Sequence, residues 1–329
     1  MNDRYMEALE QYEPEAVSVR RGRGAWICET ETGWRILKEY RGTVKRLEFE
    51  DQVLNTICLE PGIQVDHYIH NKEGSLLSIA GDGTRYVMKE WYPERECDLK
   101  NPEELCLAAS RLALLHKGLR TVKLQEEWNL GSILTEPLKD ELKRHNRELL
   151  RARNYIRGKR SKTEFELCVI ESYPEFFEQA KKAAEMMEEL MAGGRNGTVP
   201  LYLCHGDLDQ HHLLMGKNYT AAVDFNRMHL GVQMSDLYRF MRKAMEKHGW
   251  DVKLGRSVLE AYCKNLPVME EERKVLYGLF LYPEKYWKQI NFYYNTNKAW
   301  IPARSTEKIL ALKEQQDARK QFLEAVFGH

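Results

Sequence analysis

The strongest constraint on this chain is a pair of short segments in which an apolar run leads into an aspartate. The first reads CHGDLDQHHLL over Cys204–Leu214 and carries Asp207, and the second reads VDF and carries Asp224. Because apolar residues precede both segments, we expect each carboxylate to lie at the end of a short buried strand. The two aspartates would then lie side by side.

Two carboxylates in this arrangement suit phosphoryl transfer from ATP to a hydroxyl group. Asp207 would act as the base that accepts the proton of the attacking hydroxyl, and Asp224 would hold Mg²⁺ against the phosphates. Carboxylate oxygens are ligands that Mg²⁺ prefers. The sequence therefore predicts a catalytic residue and a metal ligand at adjacent strand ends.

The same segments resemble the catalytic loop of the aminoglycoside phosphotransferase and choline kinase group, whose pattern is H-G-D-x-x-x-x-N, then a strand ending in D-F-D, then Asp-Leu. The matching residues are His205, Gly206, Asp207, Asp224, Phe225, Asp236 and Leu237. The resemblance implies an α+β, bilobal, protein-kinase-like fold with a small antiparallel-sheet N-terminal lobe and a larger, mainly helical C-terminal lobe. It also implies that Asp236 accepts backbone N–H bonds from the catalytic loop.

The chain departs from this pattern at His212, where the group has Asn as a second magnesium ligand. Magnesium prefers hard oxygen ligands and takes imidazole poorly. His212 is thus a candidate ligand in an atypical metal site, or it fills the loop together with His211 and binds no metal. A zinc site would need further ligands at close spacing, and none is apparent.

The length and charge of the chain limit its class. Its 329 residues allow two lobes, which we place at 1–92 for nucleotide binding and at 93–329 for catalysis and substrate binding. Because 50 basic residues balance 50 acidic ones, we expect neither nucleic acid nor membrane as a partner. Seven scattered cysteines without a Cys-x-x-Cys pair predict a reduced, cytoplasmic protein.

The first lobe begins with a predicted antiparallel meander over residues 16–40. Its first turn carries Gly22 and Gly24. Glycine lets backbone amides approach phosphates closely, so these two residues are candidates for nucleotide binding. A plain hairpin turn explains them equally well.

Lys38 lies on the third predicted strand among apolar residues, where a lysine needs an acidic partner. The following segment, 43–58, has helical spacing and carries Glu48 and Glu50. By the register of related kinases we favour Glu50 as the partner that orients Lys38 on the α- and β-phosphates. The alternative is a solvated lysine opposite a charged helix face.

Strands predicted at 65–71, 76–79 and 84–91 complete the sheet. The last one stops before Pro93, as a hinge between lobes would. Backbone groups from Glu90 to Tyr92 would then meet the edge of an adenine ring. Trp91 between them has a second interpretation as ordinary core between the lobes.

Two regions of the second lobe have more than one interpretation. The basic segment 139–162 carries Arg144, Arg147 and Arg151 on one helical side, which would suit an acidic partner or form a solvated face. The aromatic residues over 277–300 are spaced as a helix core or, alternatively, line a substrate pocket.

A narrower resemblance extends over nearly the whole chain. The segments that carry it are Val17–Gly24, Leu37–Tyr40, Gly83–Lys89, Tyr282–Trp287 and Asn297–Trp300. They are similar to the CotS family of spore coat proteins from endospore-forming bacteria. Membership implies a cytoplasmic protein that assembles onto the spore coat, with coat proteins as partners.

Two hypotheses follow. In the first, the chain is an ATP- and magnesium-dependent phosphotransferase that acts on a hydroxylated small molecule or sugar. In the second, it is a catalytically impaired pseudokinase that serves as a structural or assembly component of the coat, with 139–162 as its docking surface. The sequence does not name the acceptor.

Overall fold

The computed structural model describes residues 4–22, 24–128, 130–193, 197–296 and 303–328. Arg23 of the glycine-bearing turn and the Asn297–Trp300 segment lie outside these residues.

An antiparallel six-stranded sheet forms most of the first lobe, in the order β1-β2-β3-β7-β5, with β6 also paired to β7. The elements of this part are α1 (Arg4–Leu9), β1 (Ala16–Arg21), β2 (Ala25–Thr30), β3 (Gly33–Glu39), α2 (Val44–Thr56), β4 (Ile63–Val65), β5 (Tyr68–Ile69), β6 (Ser78–Ile79) and β7 (Arg85–Glu90). The strand predicted over 65–71 is divided, because the chain changes sheets at Asp66.

A second sheet joins the two predicted lobes. Its order is β4-β11-β10-β8, and β4 runs parallel to β11. The remaining strands are β8 (Arg95–Glu96), β9 (Tyr202–Cys204), β10 (Leu213–Met215), β11 (Thr220–Ala222) and β12 (His229–Gly231), with β9 and β12 paired to each other. β4, which precedes residue 92, is therefore hydrogen-bonded to β11, which follows residue 92.

Helices make up the rest of the chain. They are α3 (Pro102–Thr121), α4 (Leu130–Ile133), α5 (Leu138–Gly158), α6 (Glu164–Leu190), α7 (Met234–Lys247), α8 (Val252–Cys263), α9 (Glu270–Leu281), α10 (Glu284–Asn295), α11 (Ala303–Glu314) and α12 (Gln316–Phe327). Asn101 caps the start of α3, and Pro102 occupies its first turn. A capping box between Thr163 and Glu166 starts α6.

The main core lies in the helical part, where Leu105, Leu112 and Leu115 of α3 are fully buried. Most of the described aromatic residues of α9 and α10 pack in or against this core, as one interpretation of the sequence expected. Tyr286 and Phe280 are buried, whereas Phe292 is exposed. The cavity beside them has a volume of about 30 Å³, which is too small for a substrate. Within the described part of the chain, no helix has both the length and the apolar character to cross a membrane.

Candidate functional site

The catalytic loop follows β9 and turns sharply at Gly206. The backbone there has φ of +86°, and a Cβ atom would overlap the carbonyl oxygen of Arg227. Only glycine meets both demands without strain. The turn brings Asp207 against the segment that follows Asp224.

Asp236, in the first turn of α7, anchors this loop from behind. Its carboxylate accepts the backbone N–H groups of His205 and Gly206 at 2.7 and 3.0 Å. The His116 ring donates to it at 3.4 Å and accepts from the Tyr262 hydroxyl at 2.8 Å. Burial raises the pKa of Asp236, but the contact with His116 outweighs burial, and the pKa falls to about 2. The expected anchoring role of Asp236 is confirmed.

His205 connects the two aspartate segments. Its buried ring donates from Nε2 to the carbonyl oxygen of Val223 at 3.0 Å, and its Nδ1 accepts the backbone N–H of Asp207 at 3.3 Å. A carbonyl oxygen only accepts, so Nε2 carries the proton. Burial lowers the pKa of His205 and keeps the ring neutral.

Asp224 lies on a left-handed backbone with φ of +70°. Such a conformation is uncommon outside glycine and persists where its surroundings hold it. Here the Asp224 N–H donates to Asp66 and its carboxylate accepts from Lys38, both at 2.9 Å. Burial raises the pKa of Asp224, but Lys38 outweighs it and lowers the pKa below its usual value. The carboxylate is therefore ionised.

The predicted Lys38–Glu50 ion pair is not formed. Glu50 is buried and accepts from Arg46, one turn earlier on α2, and from the Tyr68 hydroxyl, each at 2.6 Å. Residues four apart on a helix are neighbours, so Arg46 reaches Glu50 locally. Lys38 binds Asp224 instead, across the boundary between the predicted lobes.

A second lysine, Lys89 on β7, forms a buried ion pair that the sequence reasoning missed. It lies 2.9 Å from Asp66, and the two side chains are 5% and 3% exposed. The other carboxylate oxygen of Asp66 is buried without a described hydrogen-bond partner. A lysine inside an apolar strand was the available signal, since the same argument identified Lys38.

Two arginines surround the carboxylate of Asp207. Arg239 of α7 binds one of its oxygens, and Nε of Arg227 lies 3.8 Å from the other. The Asp207 side chain is 38% exposed. Sequence reasoning missed Arg239, although it lies one helical turn after the anchoring Asp236, on the same helix.

His212 lies beside Asp209 rather than beside a free metal position. Its Nδ1 is 3.1 Å from Asp209, which also binds Lys243. Burial lowers the pKa of His212, but Asp209 outweighs burial and raises it above the usual value. Among the described residues, no three His, Cys, Asp or Glu side chains are grouped to hold a metal. Because Mg²⁺ at a nucleotide site is usually held by one or two carboxylates together with phosphate oxygens and water, metal binding by Asp224 and His212 stays a prediction.

The glycine-bearing turn, which is one of the predicted nucleotide contacts, lies next to Lys38 in the sheet. Gly24, with φ of +67°, precedes Ala25, which pairs with Lys38 across β2 and β3. Gly22 donates its N–H to the Ala25 carbonyl at 2.8 Å, as a hairpin turn requires. The turn is therefore placed beside the lysine, and its binding of phosphates stays a prediction.

Trp91 packs between two apolar clusters, one from each predicted lobe. The clusters are Ala25, Ile27 and Ile36, and Leu214, Ala221 and Val223. The backbone N–H groups of Glu90 and Trp91 already donate to His67 and Trp34, at 2.9 and 3.0 Å. Of the three backbone N–H groups from Glu90 to Tyr92, only that of Tyr92 has no described hydrogen bond and could donate to adenine. Trp91 itself is part of the core between the lobes.

The predicted basic stripe on α5 is partly neutralised. Arg144 binds Glu136 at 2.9 Å and Glu148 at 3.2 Å. Arg147 and Arg151 are exposed. Docking of an acidic partner on this face stays a prediction.

Solved structures with a similar architecture include phosphotransferases and kinases. An aminoglycoside phosphotransferase from Alicyclobacillus acidocaldarius aligns with a TM-score of 0.81 and 14% identity, covering 98% of this chain and 94% of that chain. A microcompartment-associated aminopropanol kinase aligns with a TM-score of 0.60 and 14% identity, covering 98% of both chains. A spectinomycin phosphotransferase solved with ADP and spectinomycin aligns with a TM-score of 0.59 and 11% identity, covering 96% and 94%. These alignments confirm the kinase-like fold.

No curated protein matches the chain by sequence. A family model does match, over residues 55–326, which is most of the chain and includes every residue of the catalytic loop and its anchor. The resemblance to coat proteins and the kinase-like fold agree with that match. The chain belongs to the family described as "Spore coat putative kinase YutH".

Proposed function

We propose that this kinase-like protein transfers the terminal phosphoryl group of ATP to a hydroxylated small molecule or sugar, in association with the spore coat. The observation that carries the proposal is that one set of hydrogen bonds brings Asp207, Asp224 and Lys38 into the same part of the molecule. Asp224 and Lys38 are in contact, and His205 ties the loop of Asp207 to the strand end of Asp224. Family membership supports the association with the coat.

The reaction needs a base, a cation on the phosphates and an oriented hydroxyl. The hydroxyl oxygen bonds to the γ-phosphorus, the bond from that phosphorus to the β,γ-bridging oxygen breaks, and ADP leaves. Asp207 accepts the hydroxyl proton, and Lys38 moves from Asp224 to the phosphates. A divalent ion bound with the nucleotide would neutralise phosphate charge, and the Asp224 carboxylate would hold it once Lys38 has moved to the phosphates.

A second candidate function is assembly of the coat without catalysis. The observation that favours it is that Asp207 and Asp224 both lie in ion pairs while His212 replaces a magnesium ligand. Under this function, Asp207→Asn leaves incorporation into the coat intact. Replacement of Arg144, Arg147 and Arg151 by Glu abolishes it.

Calorimetric titration with ATP separates the two functions. We expect the wild-type protein to bind ATP and Asp224→Ala to lose the part of the affinity that depends on Mg²⁺ or Mn²⁺. His212→Asn supplies an oxygen ligand and should strengthen the metal-dependent part. No binding by the wild type together with binding by His212→Asn would reject the phosphotransferase and favour assembly.

A further inference from the structure

Arg227 and Arg239 share a single carboxylate. Arg239 contacts one oxygen of Asp207, and Arg227 lies 3.8 Å from the other. The side chain of Arg239 is 40% exposed, and that of Arg227 is 71% exposed. A guanidinium carries five N–H donors in a fixed fork, and one carboxylate cannot satisfy two such groups. Donors and positive charge are therefore left over beside the candidate base.

These two arginines line a cavity of about 550 Å³. Its walls come from Gly206, the loop 226–232, the segment 134–138 and α7. Gly206 precedes Asp207 in the chain, and the two arginines of the wall are the ones that face the Asp207 carboxylate. The volume is in the range that suits a small molecule. A hydroxyl group bound in this cavity would lie close to the carboxylate that is to accept its proton.

The cavity wall carries four arginines and two glutamates among the described residues. They are Arg46, Arg144, Arg227, Arg239, Glu136 and Glu141. Arg46 is held by Glu50 and Arg144 by Glu136, so neither has a free charge to offer. Burial raises the pKa of Glu141, which opposes its ionisation. Arg227 and Arg239 share the single carboxylate of Asp207, so positive charge of the wall stays in excess at this pair.

We infer that the acceptor is a hydroxylated small molecule that carries a phosphate or carboxylate group, and that Arg227 and Arg239 bind this group. The inference rests on the proposed phosphotransferase function and narrows its substrate class. Guanidinium groups bind phosphate and carboxylate through paired hydrogen bonds. A polycationic acceptor such as an aminoglycoside would place like charges together, which disfavours it.

Binding of the acceptor to Arg239 would also free Asp207 to act as the base. Arg239 now binds Asp207, and the oxyanion of the acceptor competes for that guanidinium. When Arg239 turns to the oxyanion, the Asp207 carboxylate is free to accept the hydroxyl proton. Water carries no such oxyanion, so it leaves Arg239 on Asp207 and is a poor acceptor.

Binding without nucleotide tests this inference separately from phosphoryl transfer. The probes are sn-glycerol 3-phosphate and D-glycerate as oxyanions, glycerol as their neutral match, and kanamycin as a polycation, titrated calorimetrically at constant ionic strength. We expect one or both oxyanions to bind, with glycerol and kanamycin at least tenfold weaker. Binding of glycerol 3-phosphate alone assigns a phosphate group, and binding of D-glycerate alone assigns a carboxylate.

Variants assign the binding to the two arginines. Arg227→Gln and Arg239→Gln should each weaken the oxyanion at least tenfold, whereas Arg157→Gln, at the far end of α5, should not change it. Circular dichroism checks that the variants are folded. Absence of oxyanion binding, preference for kanamycin, or equal affinity in all three variants would overturn the inference. Because no nucleotide is present, failure of ATP binding in the earlier titration leaves this result unaffected.

Discussion

Behind the catalytic loop, Asp236 is almost fully buried and each contact of its carboxylate is a hydrogen bond from a fixed donor. In front of the loop, Asp207 is more than a third exposed and is bound by arginines that also face solvent. We call these the anchor side (Asp236, His116, Tyr262) and the cleft side (Asp207, Arg227, Arg239). Buried bonded charges are costly to break, while exposed ion pairs contribute little, so only the cleft side can exchange partners with a ligand.

The largest expected effect is on the anchor side. Asp236→Asn turns one carboxylate oxygen into an N–H donor that faces other donors, and it removes the charge that His116 meets. Removing one partner of such a buried group costs about 3–5 kcal/mol of the free energy of unfolding. Urea unfolding measures this loss.

Asp207→Asn is the matched control on the cleft side, and we expect it to change the free energy of unfolding by about 1 kcal/mol or less. Equal effects of the two substitutions would remove the distinction between the sides.

The anchor side also predicts how stability depends on pH. The pKa of Asp236 is about 2 in the folded protein, below the unfolded value of about 3.9. A lowered pKa stabilises the fold above the unfolded pKa, and this contribution disappears as the pH falls from about 4 to about 2. The wild type should lose about 2–3 kcal/mol from this group over that window.

Comparison with Asp236→Asn isolates the group, because Glu284 also has a pKa of about 2 and titrates in both proteins. We expect the difference in unfolding free energy between the two proteins to be largest at pH 7 and to shrink at pH 3. If this difference in unfolding free energy is the same at pH 7 and at pH 3, the pKa of Asp236 is not lowered in the folded protein.

Gly206 lies where the two sides meet, and its substitution has an intermediate effect. Gly74→Ala is the control, because it also has positive φ but open space around the added methyl group. The left-handed backbone alone costs about 1–2 kcal/mol. Gly206→Ala adds an overlap with the backbone of Arg227, so we expect at least about 1 kcal/mol more. Thermal unfolding of both variants gives the comparison, and equal losses would mean that the loop moves aside freely.

The fold and the anchoring role of Asp236 were predicted from the resemblance of the loop motifs to the aminoglycoside phosphotransferase and choline kinase group, and the local elements that carry these motifs were predicted from the sequence pattern. Strand ends before Asp207 and Asp224, and the helix that carries Asp236, are set by apolar patterning and short motifs. Partner choice was not predictable in the same way. Several acidic residues at different positions in the sequence could have paired with Lys38. Glu50 is not its partner because Arg46, on the same helix, binds Glu50.

Other features of the site depend on which strands share a sheet. Asp66 reaches Lys89 and the backbone of Asp224 only because the chain leaves one sheet and enters another at this residue. Apolar patterning predicted a single strand there. The position of Trp91 between both lobes likewise follows from tertiary packing, and its sequence context allowed either interpretation.

The smallest expected effect tests whether the cleft side is free to exchange. A double-mutant cycle of Asp207→Asn and Arg239→Gln should give a coupling free energy of about 1 kcal/mol or less, because both side chains are about 40% exposed. The coupling should weaken further in 0.5 M NaCl, because salt screens an ion pair whose two side chains face solvent. Urea unfolding of the four proteins at two salt concentrations measures it.

A strong coupling would change the view of the cleft more than a weak one. Above about 3 kcal/mol, which is typical of a buried pair, Arg239 would hold Asp207 more tightly than an oxyanion in water could displace it. The protein would then have a carboxylate that is permanently paired, and the assembly function would be favoured. A weak coupling leaves Asp207 available whenever a bound oxyanion draws Arg239 away, which is the condition that phosphoryl transfer in this cleft requires.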